Sequence, residues 1–151
     1  MTDTTFENPR QARLSALALA DGADLAALWG RLGVDPAFEL VRGPESGLIA
    51  LRGRIGGGGA PFNFGEATVT RATVRLENGA VGHAVALGRD RRKAKLIAIL
   101  DALAQDPEME SKIEAEIVRP LQASLAARDA ERRAETAATK VDFFTMVRGE
   151  D

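Results

Sequence analysis

The dipeptide Asn78-Gly79 constrains the fold more than any other feature of this chain. It stands between two runs, Ala67 to Leu76 and Ala80 to Leu87, that are rich in β-branched and small residues. Asn-Gly accepts the positive backbone dihedrals of a tight turn, so the two runs read as a β-hairpin. A two-residue loop would set Leu76 opposite Val81, Val74 opposite His83 and Ala72 opposite Val85 on one apolar face. The other face would pair Arg75 with Gly82, Thr73 with Ala84 and Arg71 with Ala86.

Upstream, Phe38 to Arg42 and Gly47 to Ile55 read as two further strands, separated by Gly43 and Pro44. Strand alternation puts Arg52 and Arg54 on one face, with Ile49, Leu51 and Ile55 on the other. A glycine-rich loop, Gly56 to Gly65, links this region to the hairpin. Both ends of the chain read as helical. Asn8 before Pro9, Asp21, Asp90, and Asp106 before Pro107 are four N-cap signals. Leu25, Leu28, Trp29 and Leu32 follow the spacing of one buried helical face, which makes Trp29 a core or interface anchor. Gly33 and Pro36 stop that helix. Leu96, Ile97, Leu100 and Leu103 mark a second buried face, and Ile113 and Ile117 a third, which Pro120 should kink or end. From Ala123 to Lys140 alanine and charge dominate, giving an exposed helix.

The expected fold is therefore α+β. A mostly antiparallel sheet of about four strands carries N-terminal and C-terminal helices packed on it. One domain spans 1–151: helical 8–33, β-rich 37–88, helical 90–140, and an apolar tail 141–148.

Composition removes several kinds of chemistry. There is no cysteine and a single histidine, His83, so disulfides, thiolate nucleophiles and sulfur- or histidine-rich metal sites are excluded, and no metal is expected. The net charge of −2 provides no general attraction for nucleic acid. No apolar run approaches the roughly 18 residues that cross a bilayer, and the polar start is unlike a signal peptide. Cytoplasmic placement, with neither membrane nor nucleic acid as partner, is the expectation.

The residues that remain carry paired readings. Backbone amides of the glycine run, Gly57 and Gly58 among them, suit a phosphate, with Arg52 and Arg54 close by. The same glycines equally suit a loop that lets another chain approach. Arg52, Arg54, Arg71 and Arg75 either bind the oxygens of an anionic ligand or form an ordinary sheet face of solvated charge or of salt bridges to a partner. Asn63 and Glu66 flank the loop; Glu66 either orients a ligand or fixes the loop by capping its amides. His83 is a hydrogen-bonded, partly buried residue or a proton shuttle. Gly88 to Arg92 is either an anion-binding helix start or a plain basic cap. Phe143, Phe144, Met146 and Arg148 have interface composition and either dock on a neighbour or pack on their own domain.

Longer runs are more specific than any single motif. RQARLSALALA near the start, RGPESGLIALRGRIGGGGAPFNFGEATVTRATVRLENGAVGHAVALGRDRRKAKLIAILDALAQ in the middle and ATKVDFFTMVRGED at the end together resemble the PhnG family, the G subunit of carbon–phosphorus lyase. The resemblance implies assembly with H, I and J subunits, and with an L subunit for activity. It implies a reaction of the complex in which adenine is displaced from ATP and an alkylphosphonate joins C1 of the ribose, giving a ribose 1-phosphonate 5-triphosphate. ATP is then a substrate of the complex, and the G subunit brings no cofactor of its own. The family usually has cysteine where Ala72 stands, histidine where Lys93 stands and often tryptophan where Arg13 stands. The loss of that cysteine and that histidine implies that neither is essential to chemistry here.

Overall fold

A computed structural model describes residues 8–54 and 59–139. Three antiparallel strands form one sheet in the order β1-β2-β3: β1 is Phe38–Gly53, β2 Phe62–Leu76 and β3 Val81–Leu87. Helices α1 (Pro9–Leu19) and α2 (Gly22–Leu32) precede the sheet, and α3 (Arg91–Leu103), α4 (Pro107–Ile113) and α5 (Arg119–Ala138) follow it.

The α+β class agrees with the sequence, but the strand count is three rather than about four. Gly43 and Pro44 do not separate two strands. They sit in a bulged stretch of one continuous β1, whose register against β2 shifts between Leu40 and Arg42 and again between Arg42 and Glu45. Gly43 has φ 66°, and Pro44 donates no N–H, so the irregular step falls where a regular ladder would lose a bond anyway. β2 also starts earlier than expected, at Phe62, which places Asn63, Gly65 and Glu66 in a strand rather than in the glycine loop.

The hairpin is real, but its register is one residue off the two-residue expectation. The Leu76 N–H donates to Ala80 O at 2.9 Å and the Gly79 N–H to Leu76 O at 2.9 Å. Gly79 has φ 86°. This is a three-residue loop, Glu77-Asn78-Gly79, with a turn followed by a left-handed glycine. Val74 therefore pairs with Gly82, Thr73 with His83 and Ala72 with Ala84. A slip of one residue inverts a strand's two faces. Gly82, Ala84 and Ala86 are buried, while His83, Val85 and Leu87 are exposed. The small side chains turned inward let α3 lie close against β3.

The helices form the second layer. Leu17, Leu25, Val74, Ile97, Leu100, Ile113 and Ile117 lie fully inside, and Trp29 packs half-buried against them. All four expected caps form: Asn8 Oδ1 accepts from Arg10 N, Asp21 Oδ1 from Ala23 N, Asp90 Oδ1 from Lys93 N and Asp106 Oδ1 from Glu108 N. Pro120 does not end its helix. A π turn, Glu114–Val118, precedes it, so the wider turn absorbs the irregularity and the rod continues as α5.

Asp21 accepts the N–H groups of Ala23 and Asp24, which holds its carboxyl below the usual aspartate range. A depressed carboxyl contributes stability above the unfolded aspartate value and loses it as pH falls through the folded one. Asp21→Asn should therefore shrink the drop in melting temperature between about pH 6 and about pH 3. An unchanged acid limb in that variant would show the cap carries none of it.

Candidate functional site

The outward sheet face carries the ladder on which the arginines stand. Register pairs Arg75 with Glu39 and Arg71 with Glu45 across β1 and β2. Arg75 Nη1 lies 2.8 Å from Glu39 Oε1 and Arg71 Nη2 lies 3.1 Å from Glu45 Oε1. Arg42 Nε donates to the same Glu45 oxygen at 2.8 Å. The Arg42 guanidinium, through that bond and its charge, with help from Arg71, draws the Glu45 carboxyl below its ordinary range. Beside this ladder Thr73 Oγ1 and His83 Nδ1 are 3.2 Å apart. His83 is thus on the exposed face, not on the apolar face that a two-residue loop would have given it.

Arg52 stands at the other end of β1, paired in register with Asn63. Seven residues separate it from Glu45, about 23 Å along a strand. The four arginines consequently divide into Arg71 and Arg75 on the ion-paired ladder, and Arg52 and Arg54 at the far end of the hairpin. A bulge between Leu51 and Arg52 interrupts the expected alternation, and Arg54 lies past the end of β1. Asn63 and Glu66 are both exposed on β2. Gly57 and Gly58 lie outside the described residues, as do Phe143, Phe144, Met146 and Arg148.

The far end of the hairpin has a distinct character. β3 pairs with β2 only from Val69 to Arg75. Beyond it, Leu48 to Gly53 pair with Phe62 to Thr68 as a two-stranded ribbon about 20 Å long. Leu48 is 63% exposed and Phe64 61%, and Ile49 and Phe62 are exposed as well. The Phe62 and Phe64 rings meet edge-on at 6.5 Å, with Phe64 over Gly53. Two strands alone are marginal in water, and such a run of large apolar groups marks a docking surface.

Sequence reasoning missed the polar joints between elements. Fully buried Asp101 on α3 accepts from Arg10 Nε at 2.8 Å, from Arg10 Nη2 at 2.7 Å and from His83 N at 2.9 Å. The Asp101 carboxylate, first by hydrogen bond and then by charge, raises the Arg10 pKa further. Buried Arg13 meets Glu110 at 2.7 Å on the wall of a cavity of about 420 Å³ that Ser111, Glu114, Arg119 and Gln122 also line. Lys93 Nζ donates to Ala18 O at 2.6 Å, and burial pushes its pKa down. The Arg10–Asp101, Arg13–Glu110 and Lys93–Ala18 pairs lie 75 to 97 residues apart, and no local pattern announces them. At the start of α3, Asp90 already satisfies the exposed Lys93 N–H, which favours the plain-cap reading there.

Among the described residues no cluster of histidine, aspartate and glutamate has the geometry to hold a metal, and no helix is long and apolar enough to cross a membrane. The family model for phosphonate metabolism protein PhnG matches residues 8–149. A curated relative from Rhizobium meliloti (strain 1021), the alpha-D-ribose 1-methylphosphonate 5-triphosphate synthase subunit PhnG, is 51% identical over 142 residues. That match covers 94% of this chain and 90% of the relative. The positions where the resemblance marked departures have structural work instead: Ala72 is buried in the core, Lys93 ties α3 to the end of α1, and Arg13 ties α1 to α4. With the ribbon, the ladder and the helical layer all inside the matched span, this chain belongs to the PhnG family of phosphonate metabolism proteins.

Proposed function

We infer that the chain is a non-autonomous subunit of an α-D-ribose 1-methylphosphonate 5-triphosphate synthase. In that assembly it helps transfer an alkylphosphonate onto ribose C1 of ATP. A phosphonate oxygen forms the bond to C1, the C1–N bond to adenine breaks, and adenine leaves with a proton. ATP and the phosphonate are substrates of the complex, and this subunit brings no cofactor. Its partners are the H, I and J subunits of the carbon–phosphorus lyase core complex, with the L subunit needed for activity, in the cytoplasm.

The name of the Rhizobium relative supports the reaction. The observation that supports dependence on partners is the unsupported ribbon, with Leu48 and Phe64 standing in water. Within this reading, Arg52, Arg54, Gly57 and Gly58 at the ribbon end are the substrate-facing group, and Asn63 and Glu66 orient the loop between the strands. Arg71 and Arg75 are assigned to the same anion only if their glutamate partners yield. Phe143, Phe144, Met146 and Arg148 form a further interface element, assigned from sequence composition alone.

A second reading, a scaffold that never touches substrate, draws on the ion pairs that already occupy Arg71 and Arg75. Adenine release from ATP and methylphosphonate separates the two. The chain alone should release none, and adding H, I and L subunits should restore release. Phe64→Asp should abolish assembly while leaving the circular dichroism unchanged. If Arg52 or Arg54 contacts the polyphosphate, its alanine variant should lose roughly tenfold or more in rate within an intact assembly, the scale of a lost charged hydrogen bond. Full turnover in both variants leaves the scaffold reading standing. Turnover by the isolated chain would end both.

A further inference from the structure

Arg13 is buried but under-paired. The residue is 5% exposed, and its Nε is shut off from solvent without a hydrogen-bond partner. A guanidinium offers a fork of N–H donors. Among the described residues Arg13 uses a single one, from Nη1 to Glu110 Oε1 at 2.7 Å. That glutamate is itself 44% exposed, so it returns only part of what taking a guanidinium out of water costs. A pair in the open would join α1 to α4 as well, without burying a charge.

The cavity of about 420 Å³ that Arg13 lines runs between α1 and the rod of α4, the π turn and α5. Its wall is charged in both senses, for Glu114 and Arg119 join the Arg13–Glu110 pair there. In a regular α-helix residues at i and i+5 do not share a face. Here the π turn closes with the Arg119 N–H donating to Glu114 O, which brings these two opposite charges onto one wall. No described residue bonds to the side chain of Glu114, of Arg119 or of neighbouring Gln122. Glu114 is half-buried, so it loses water without gaining a partner. Two guanidinium groups with unspent donors thus share the cavity with two carboxylates that have unspent acceptors, and the formal charges cancel. A plain anion gains from the arginines and loses to the glutamates, and a plain cation does the reverse. A molecule that carries both charges gains from each. Arginine takes a carboxylate bidentately, and carboxylates take an ammonium group. The volume is that of a site for a small organic molecule.

We propose that this cavity binds a small zwitterion of the amino-acid class, its carboxylate on Arg13 and Arg119 and its ammonium group on Glu110 and Glu114. The ligand completes the pairing that the chain leaves unfinished, and it ties α1 to the start of α5 as well as to α4. The site shares no residue with the ribbon or the ladder, so the inference does not depend on the synthase reading.

Titration calorimetry of the full chain with the common α-amino acids, β-alanine, γ-aminobutyrate and ε-aminocaproate tests this. At least one should bind with a Kd of about 1 mM or tighter and raise the melting temperature. The matching acid without its amino group, and the matching amine without its carboxylate, should each bind at least about tenfold more weakly, the scale of a lost charged hydrogen bond. Glu114→Gln and Arg119→Gln change side chains that hold no other described residue. Both should melt with the parent and bind the ligand at least about tenfold more weakly. No saturable binding by any of these probes, equal binding of the matching acid, or affinity kept in both variants would overturn the proposal. The chain has no native cysteine, so Gln122→Cys reports on the mouth of the cavity. It should react with a small maleimide in the assembled synthase as it does in the free chain. Protection in the assembly would mean that a neighbouring subunit fills the cavity, and would overturn the proposal too.

Discussion

Gly82→Ala should melt at least about 10 °C below the parent, a loss of more than about 3 kcal/mol in a domain of this size. Gly82 lies where β3 crosses α3, and an added Cβ would meet Ala98 O and Ala102 N. Both atoms belong to the backbone of a buried helix, so no side chain can swing aside. The relief has to come from moving α3 off the sheet, which opens the core at Ile97, Leu100 and Val74. Overpacking costs about 1–3 kcal/mol where side chains yield, and more where backbone must. Gly30 is the natural control. It sits within α2, and a methyl group added there would have nothing within 4 Å. Gly30→Ala should raise stability by about 0.5–1 kcal/mol through helix propensity and a less flexible unfolded chain. Thermal unfolding of the two variants in parallel is sufficient. A Gly82→Ala variant that melts with the parent would refute the close helix–strand contact.

Asp101→Ala should cost about 3–5 kcal/mol, the range for breaking a buried ion pair from one side. Three hydrogen bonds converge on that carboxylate, two from Arg10 and one from His83 N. The half-exposed Arg10 can recover water, but the His83 amide loses the carboxylate it donates to, and β3 loses its clamp to α3. Arg10→Ala is the informative partner, because it strands the buried carboxylate with one donor. It should be destabilised by a comparable amount, and the double variant by much less than the sum. Denaturant unfolding of the three proteins gives the coupling. Additive losses would mean the pair acts through two unrelated sites.

Local signals in this sequence are legible because they are settled within a few residues. Asn8, Asp21, Asp90 and Asp106 cap the helices that the sequence assigns to them, and Gly33 ends α2 in the left-handed conformation with φ 68°. The hairpin itself is equally legible, yet its register is not. Asn-Gly serves a two-residue and a three-residue loop alike, and the choice decides whether His83 or Gly82 faces the core. Here the close approach of α3 to Gly82 supplies the deciding physics, and it is a tertiary fact. The Gly43-Pro44 step misleads for a related reason: a bulge and a strand end look the same without the partner strand. Strand alternation groups the four arginines, but it orders side chains across a strand and says nothing of distance along it. Family membership is legible because it draws on the whole chain at once, and the match over residues 8–149 bears it out.

The hairpin that outruns its sheet has a consequence for how a cell must handle this protein. A copy made in excess of its companions would present Leu48, Ile49, Phe62 and Phe64 to whatever it met first, most often another surplus copy. Matched synthesis, with companions present as the chain emerges, keeps that surface covered from the start. Overproduction from a lone gene should leave a larger share of the chain aggregated than joint expression does, with the remainder still soluble.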